Sequence, residues 1–436
     1  MTAGDGGIME SSTPNTPSMR VAVIGGGVAG IVAAHILQRR HEVTLFEQND
    51  YLGGHTRTIV LTEGPDAGTA VDTGFIVLND HTYPTFHRFL AQLEVPVRFA
   101  DMSFGFHSEP DNLQYAGTSL NGLFAQRSNL LRPAFWRMLW DIRGFCQNAR
   151  RDLREGRLAG ETLGEYVRRG GYSRAFLDHY LLPMGGAIWS ASSGKMLEFP
   201  AAALIRFFEN HGLLSLKNRP RWQTVVNGSH TYVRKFLEGF RGTVHLACPV
   251  LGIRREADGV QVRLRDGSVQ HFDKAVVAAH ADQALRMLED PSPEEQRLLG
   301  VWSYSVNHTV LHTDPRVMPS NRRAWASWNY TRERPGGSET PVSVTYHMNR
   351  LQGLTTRRDY FVTLNRHQAI AENLILQEME YTHPQFTAAS MATQAELPSL
   401  NGPRNTYFCG SYFGFGFHED AVKSGVAVAR AFGLEL

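Results

Sequence analysis

Arg20-Val21-Ala22-Val23-Ile24-Gly25-Gly26-Gly27-Val28-Ala29-Gly30 is the stretch that decides how this chain is read. A short β-rich run meets spaced glycines, and from Val28 to Arg39 small and apolar residues recur at helical spacing, so the segment predicts a strand, a tight turn and a helix. Gly25 permits the turn and Gly27 lets backbone approach a pyrophosphate. Gly30 lets the helix lie close on the strand, so that Val28 and Ala29 at the helix N-terminus face phosphate. A second predicted strand, Glu42 to Phe46, ends in Glu47, 47 − 30 = 17 residues past Gly30 and near the ~20 expected for an acid on an adenosine ribose. An acid in that place argues against a 2′-phosphate.

Composition bounds the rest. A chain of 436 residues, 42% hydrophobic and 20% charged, can bury a large core, and about two to three domains is the expectation. The formal charge of +2 and the absence of a basic block interleaved with aromatics exclude a nucleic-acid surface. Cys146, Cys248 and Cys409 are far apart and odd in number, which predicts no disulfide framework, no metal site and a reducing, cytoplasmic setting. Residues 1–18, rich in Gly, Ser, Thr and Pro, lack the basic start and apolar run of a signal peptide and are expected to be disordered. No apolar stretch reaches the ~18 residues of a membrane span.

Beyond Glu47 the chain continues Tyr51-Leu52-Gly53-Gly54-His55-Thr56-Arg57-Thr58, a second glycine pair able to bring amides and a cation to the same pyrophosphate. This resembles the extended dinucleotide signature of the monoamine oxidase and phytoene desaturase superfamily of FAD flavoproteins. Members usually carry Arg after the glycine pair; here His55 stands there, with Arg57 two positions on, and either could meet phosphate. The resemblance implies an α/β, Rossmann-type FAD domain with a discontinuous α+β substrate domain. It places the backbone of Gly74 and Phe75 beside the flavin ring and Val250 against adenine. Gly410 and Ser411 fall at the ribityl chain, and His418, Glu419, Asp420 and Ala421 open a helix aimed at the flavin. Family members often have Glu where this chain has Ser411. The implied FAD domain covers residues 19–81, 218–282 and 400–436, and the substrate domain 82–217 and 283–399.

Within the substrate domain, Tyr83 to Leu93, Leu130 to Arg151 and Leu163 to Tyr180 show helical apolar spacing, and 82–217 reads as mostly helical. The middle helix sets Trp136 and Trp140 beside an apolar stripe with Arg132, Arg137 and Arg143 among them. It could rest on a membrane surface, cover a lipid channel, or simply pack on the core. Val306 to His312, Ala324 to Tyr330 and Val342 to Arg350 read as strands flooring a pocket. In the last, Ser343, Thr345, His347 and Asn349 share a polar face suited to a site. His347, Asn349, His383 and Tyr412 are the candidate catalytic residues. Trp189, Trp325, Trp328, Tyr330, Phe413, Phe415 and Phe417 are expected to converge nearby.

Leu182 to Ser190, Ala324 to Tyr330 and Tyr381-Thr382-His383-Pro384 look like a bacterial subgroup of amine-oxidase-like proteins similar to the flavoprotein domain fused to cyclopropane fatty acid synthases. That subgroup includes fatty acyl desaturases of furan fatty acid synthesis. The resemblance implies a lipid or fatty acyl substrate; a lipid methyltransferase partner and, from the amphipathic helix, peripheral contact with the inner membrane surface are further expectations. Amine oxidases commonly carry Lys near the strand position of Val306-Asn307-His308, and none stands there. A saturated methylene run offers neither an acidic proton nor a stabilised cation, so an unsaturated or methyl-branched chain is expected to be desaturated with hydride passing to flavin. A double-bond isomerase, an amine oxidase and a non-catalytic FAD protein are the alternatives.

Overall fold

The computed structural model describes residues 17–215, 219–334 and 341–436; the expected disordered tail, 1–18, lies outside them apart from its last two residues. The Gly-rich segment forms the strand Arg20–Ile24 and the helix Val28–Leu37. That strand is the centre of a five-stranded parallel sheet in the order Thr243–His245, Glu42–Phe46, Arg20–Ile24, Lys274–Val277, Thr406–Phe408. Parallel strands buried on both faces read as near-continuous apolar runs, and Val21, Ala22 and Val23 are fully buried. The helix Val28–Leu37 packs on the sheet with the C-terminal helix His418–Ala431, which crosses it at Gly425. A Cβ on Gly425 would lie 2.5 Å from the Ala29 carbonyl oxygen.

A second, seven-stranded sheet runs Ile375–Gln385, Ser303–His312, Phe361–Leu364, Ser343–His347, Trp328–Arg332, Phe104–Ser108, Leu113–Ala116. It is antiparallel except where Trp328–Arg332 runs parallel to Phe104–Ser108. Residues 82–217, expected to be mostly helical, therefore also supply the strands Val97–Phe99, Phe104–Ser108 and Leu113–Ala116. Leu113–Ala116 forms a hairpin with Phe104–Ser108, but the other partners, Trp222–Val225 for Val97–Phe99 and Trp328–Arg332 for Phe104–Ser108, are remote in sequence, so local periodicity could not reveal those pairings.

Three predicted elements depart from the sequence reading; one of them, the strand expected over Ala324 to Tyr330, begins only at Trp328, after the helical turn Arg322–Ala324. The Leu163 to Tyr180 helix breaks after Leu163–Arg169 at Gly170-Gly171, where Gly171 takes a φ of 64°, before the turn Arg174–Phe176. The strand Ser343–His347 stops before Asn349, which sits in the helical turn Met348–Leu351.

The strand Val250–Arg255 is tied to its neighbours by a buried charge. The Arg255 guanidinium, 1% exposed, donates to Asp290 Oδ1 at 2.6 Å and to both oxygens of Glu295 at 2.8 and 2.9 Å. Glu295 also accepts from the Ser292 amide to cap the helix Pro293–Gly300. Removing one partner of such a pair leaves an uncompensated buried charge, which costs about 3–5 kcal/mol. Arg255→Ala is thus expected to destabilise the protein by that amount, read as an earlier urea midpoint, and Lys274→Ala, which loses one half-buried hydrogen bond to Asn405, by much less.

Candidate active site

Ligands of open parallel sheets bind beyond the carboxyl ends of the strands. Here Gly25, Glu47, Cys248, Ala278 and Gly410, each just past such an end, line one cavity of about 1150 Å³. That exceeds the ~300–1,000 Å³ usual for one small ligand. Its far arm reaches under the seven-stranded sheet and the helices Leu182–Trp189 and Ala201–Asn210.

The glycines of the first turn divide into two kinds. A Cβ on Gly25 would lie 2.5 Å from the Ala278 carbonyl oxygen and one on Gly30 would lie 2.0 Å from that of Gly25, so both positions are closed by the protein itself. A Cβ on Gly27 would meet nothing within 4 Å. Gly27 faces open cavity, and the first-turn amides behind it, at Val28 and Ala29, have no side-chain cap. The second glycine loop is laid across the first: the Gly53 amide donates to the Gly26 carbonyl at 2.8 Å, and Gly54 stands against Gly27. Glu47 holds this crossing together, Oε2 accepting from the Gly26 amide at 2.7 Å and Oε1 from the Asn49 amide at 2.9 Å.

Of the residues expected around a cofactor, Gly25, Gly27, Val28, Ala29, Glu47, Gly54, His55, Gly74, Phe75, Val250, Gly410, Ser411, His418 and Ala421 line the cavity. Five lie behind its wall. Gly30 packs under Gly25. Thr56 is fully buried, bonded to the Tyr232 hydroxyl at 2.6 Å and to His418 Nε2 at 2.9 Å. Arg57 lies over the Tyr51 ring at 4.7 Å, leaving His55 as the residue of that pair on the wall. Glu419 accepts from the Thr85 and Phe86 amides and so caps the helix Pro84–Gln92, while Asp420 accepts from the Phe415 and Phe417 amides. Both carboxylates are occupied by backbone. Burial raises Asp420 to about 6.

The candidate catalytic residues separate in the same way. His383 and Tyr412 line the cavity; His347 and Asn349 do not. His347 Nε2 pairs with Asp359 at 3.0 Å, and Asn349 closes a turn through Thr356, Arg358 and the Tyr360 amide. The polar face of the strand Ser343–His347 points away from the cavity, and it is Tyr346, on the apolar face, that reaches the wall. Of the expected aromatics, Trp189, Trp328, Phe415 and Phe417 line it as well, whereas Trp325, Tyr330 and Phe413 are outside.

Around His383 the cavity holds a cluster that sequence reading did not assemble. The His55 ring lies 5.3 Å from His383, 6.3 Å from His280 and 5.0 Å from Tyr381, and His280 is stacked on Tyr304 at 4.3 Å. Burial lowers the pKa values of His55, His280, His383 and His418, that of His55 well below the ordinary imidazole value, His383 to about 4 and His418, stacked on Phe75 at 3.6 Å, to about 3. Asn365 Nδ2 donates to Asn307 Oδ1 at 2.9 Å, so Asn307 Nδ2 donates to His383 Nδ1 at 3.1 Å. Ser190, in the left-handed region at a φ of 51°, bonds the same nitrogen at 3.0 Å. The neutral His383 ring accordingly carries its proton on Nε2. His55 Nε2 and the Tyr412 hydroxyl are buried without a partner among the described residues. His280 follows the strand Lys274–Val277 at the carboxyl edge of the sheet, a strand the sequence reading had not singled out. Ser190 and Asn307 had no signal of their own.

The family model described as flavin containing amine oxidoreductase matches residues 28–361. The chain belongs to the flavin-containing amine oxidoreductase family. The carotenoid phi-ring synthase of Streptomyces griseus is 28% identical over 336 residues, covering 72% of this chain and 61% of that protein, so the chain spans under two thirds of that relative's length. Two solved structures share the fold at a TM-score of 0.67: a CLA-producing fatty acid isomerase from P. acnes, 16% identical over 95% of this chain and 99% of that one, and cyclohexylamine oxidase from Brevibacterium oxydans IH-35A, 14% identical over 96% and 100%.

The chain is an FAD-dependent oxidoreductase of this family, and its cavity fits that cofactor. The open face at Gly27, two helix N-termini and the unpartnered hydroxyl of Tyr412 offer the donor set a dinucleotide takes. Gly27→Ala is expected to fold with an unchanged thermal midpoint yet bind FAD about tenfold more weakly, roughly the ~1.4 kcal/mol of one lost close contact. Gly30→Ala is expected to lose stability itself; flavin content and melting of the two variants decide this. A second expectation concerns pH. Histidines whose folded pKa lies below their unfolded ~6.5 contribute stability that is present above pH ~6.5 and lost as pH falls toward the folded values. The melting temperature should drop between pH 6.5 and 4, and His383→Asn should flatten that slope.

Proposed function

We propose that this FAD enzyme desaturates an acyl chain that is already unsaturated or methyl-branched, giving a conjugated product. One observation carries the reading. The inner arm of the cavity is walled by Phe104, Met184, Ile188, Trp328, Tyr346 and Phe417, and no free carboxylate stands in its buried part among the described residues. Of the lining acids, Glu47 is tied to the glycine crossing, Glu380 is exposed, and Asp101 is half-exposed beside Arg350 at 3.6 Å. An ammonium substrate would be buried there without a counter-charge, at a cost of several kcal/mol, while a hydrocarbon gains about 25 cal/mol per Å² of surface buried.

Gly27, Val28, Ala29 and Gly54 would hold the FAD pyrophosphate, Glu47 the ribose through its remaining lone pairs, and Val250 the adenine. Gly74, Phe75, Gly410, Ser411, His418 and Ala421 would surround the flavin end. When bound, FAD supplies the two-electron acceptor. The chain's own residues exclude water with the aromatic arm and manage the proton. The Thr382 carbonyl takes one ring N–H of His55, so its unpartnered Nε2 carries a free lone pair, while His383 presents an Nε2–H. His55 Nε2 is thus the place to receive the proton an allylic carbon gives up, and His383 a donor beside it. Shielding of this cluster from bulk water also suits a second reading, in which the same proton returns to the chain and a double bond is isomerised.

Anaerobic titration with phospholipids bearing unsaturated or methyl-branched chains should bleach the flavin and raise conjugated-diene absorbance. Bleaching by simple amines alone would overturn the proposal, and double-bond migration without net bleaching would favour isomerisation. His55→Gln is expected to keep FAD and lose ~10²-fold or more in turnover, the scale of general base catalysis. Because burial lowers the His55 pKa, the acid limb of kcat/KM should fall below pH 6.5.

A further inference from the structure

The helix Pro133–Arg154 buries Phe135, Met138, Phe145 and Ala149 in the core, yet its other side leaves Trp140 72% and Trp136 49% exposed. The segment leading into it exposes Leu120 by 77% and Leu131 by 87%, with Leu130 beside them. These belong to one surface, since the Trp136 ring packs on Phe124 at 5.5 Å and its indole N–H donates to the Leu130 carbonyl at 2.9 Å. Single exposed apolar residues are ordinary; a cluster of Leu and Trp is not.

The charge on this surface has one sign. Arg127, Arg137 and Arg143 are exposed around the patch and Arg132 is half-buried at its edge. The two acids of the helix, Asp141 and Asp152, are 5% and 3% exposed. Asp141 takes the Ser173 amide and Arg137, and Asp152 the Tyr166 hydroxyl. Arg137 is paired with Asp141, whereas Arg127, Arg132 and Arg143 have no ion-pair partner among the described residues; Trp and Leu projecting among such Arg side chains are the composition that settles at a headgroup boundary, where the rings meet the acyl edge and the guanidinium groups meet phosphate.

The patch also adjoins the cavity. Tyr115 and the exposed Gly117 line the cavity, Phe135 packs on Tyr115 at 5.7 Å, and the chain passes from Gly117 directly to Leu120. From these observations we infer that the face formed by Leu120, Leu130, Leu131, Trp136 and Trp140 docks on an anionic phospholipid bilayer. Docking there sets the cavity mouth at Gly117 against the membrane; delivery of an acyl chain through that mouth rests on the proposed lipid substrate, whereas docking itself does not.

Flotation of the FAD-loaded full chain with vesicles tests the inference. Vesicles of phosphatidylcholine plus phosphatidylglycerol should carry the protein up, phosphatidylcholine alone should carry less, and raised salt should weaken binding. Leu131→Glu/Trp140→Glu should cut vesicle binding about tenfold or more, ~1.4 kcal/mol per factor of ten, with flavin content and melting temperature unchanged. Flotation that the double variant leaves intact would overturn the inference, as would no flotation with either lipid. So would a dimer in sedimentation that the double variant splits without any vesicle binding. Failure of lipids to bleach the flavin would count against the acyl substrate while leaving the flotation result standing.

Discussion

The contact of Gly25 with the Ala278 carbonyl, and of Gly30 with Gly25, is the constraint on which the molecule depends. It brings the end of the first strand against the loop after Lys274–Val277 and lets the helix Val28–Leu37 start close to the sheet. A side chain at either glycine would push strand, helix and loop apart. Glu47 and the Gly53 amide then clamp the second glycine loop over the first, so the edge that meets a dinucleotide is built from backbone held by backbone. Such an edge is preorganised for phosphate and costs little further ordering on binding.

A second close approach supplies the other half of the site. Gly425 lets His418–Ala431 cross Val28–Leu37 at backbone contact, so two helix N-termini open on the same cavity. The acids at the start of the later helix serve as braces. Glu419 holds the helix Pro84–Gln92 and Asp420 holds the loop before its own helix, and this fixes the ring of His418 on Phe75. Against this cofactor edge the seven-stranded sheet and the helices over it form a pocket lined largely by rings and apolar side chains. The histidines between the two halves are kept neutral by burial, which preserves an uncharged interior that still carries ring lone pairs and N–H groups.

Much of the cofactor domain was legible in sequence because its signals are local. Turn glycines, an acid at the end of the second strand and a helix opening at His418 each depend on neighbours within a few residues, and the strands Arg20–Ile24 and Glu42–Phe46 fall where alternation and apolar run placed them. What failed were readings that needed to know which face of an element turns inward. His347 and Asn349 carry chemistry-bearing groups on a strand near the pocket, but the sheet presents Tyr346 instead and the strand ends before Asn349. Glu419 and Asp420 lie where the resemblance put cofactor contacts, yet backbone amides claim their carboxylates.

The sequence by itself determined that this chain folds around a strand, Gly-rich turn and helix of the nucleotide-binding kind, and most of the residues it singled out for a cofactor line the cavity. Steric demands at Gly25, Gly27 and Gly30 are written in adjacent positions, which is why they could be read there. Tertiary structure alone decided the rest. His55, His280 and His383 come from three distant segments, and the hydrogen-bond chain from Asn365 through Asn307 to His383 exists only once the strands around it are paired. The outward turn of Trp136 and Trp140 was decided in the same way, because a helix with apolar residues around much of its circumference can bury only the side that meets the core.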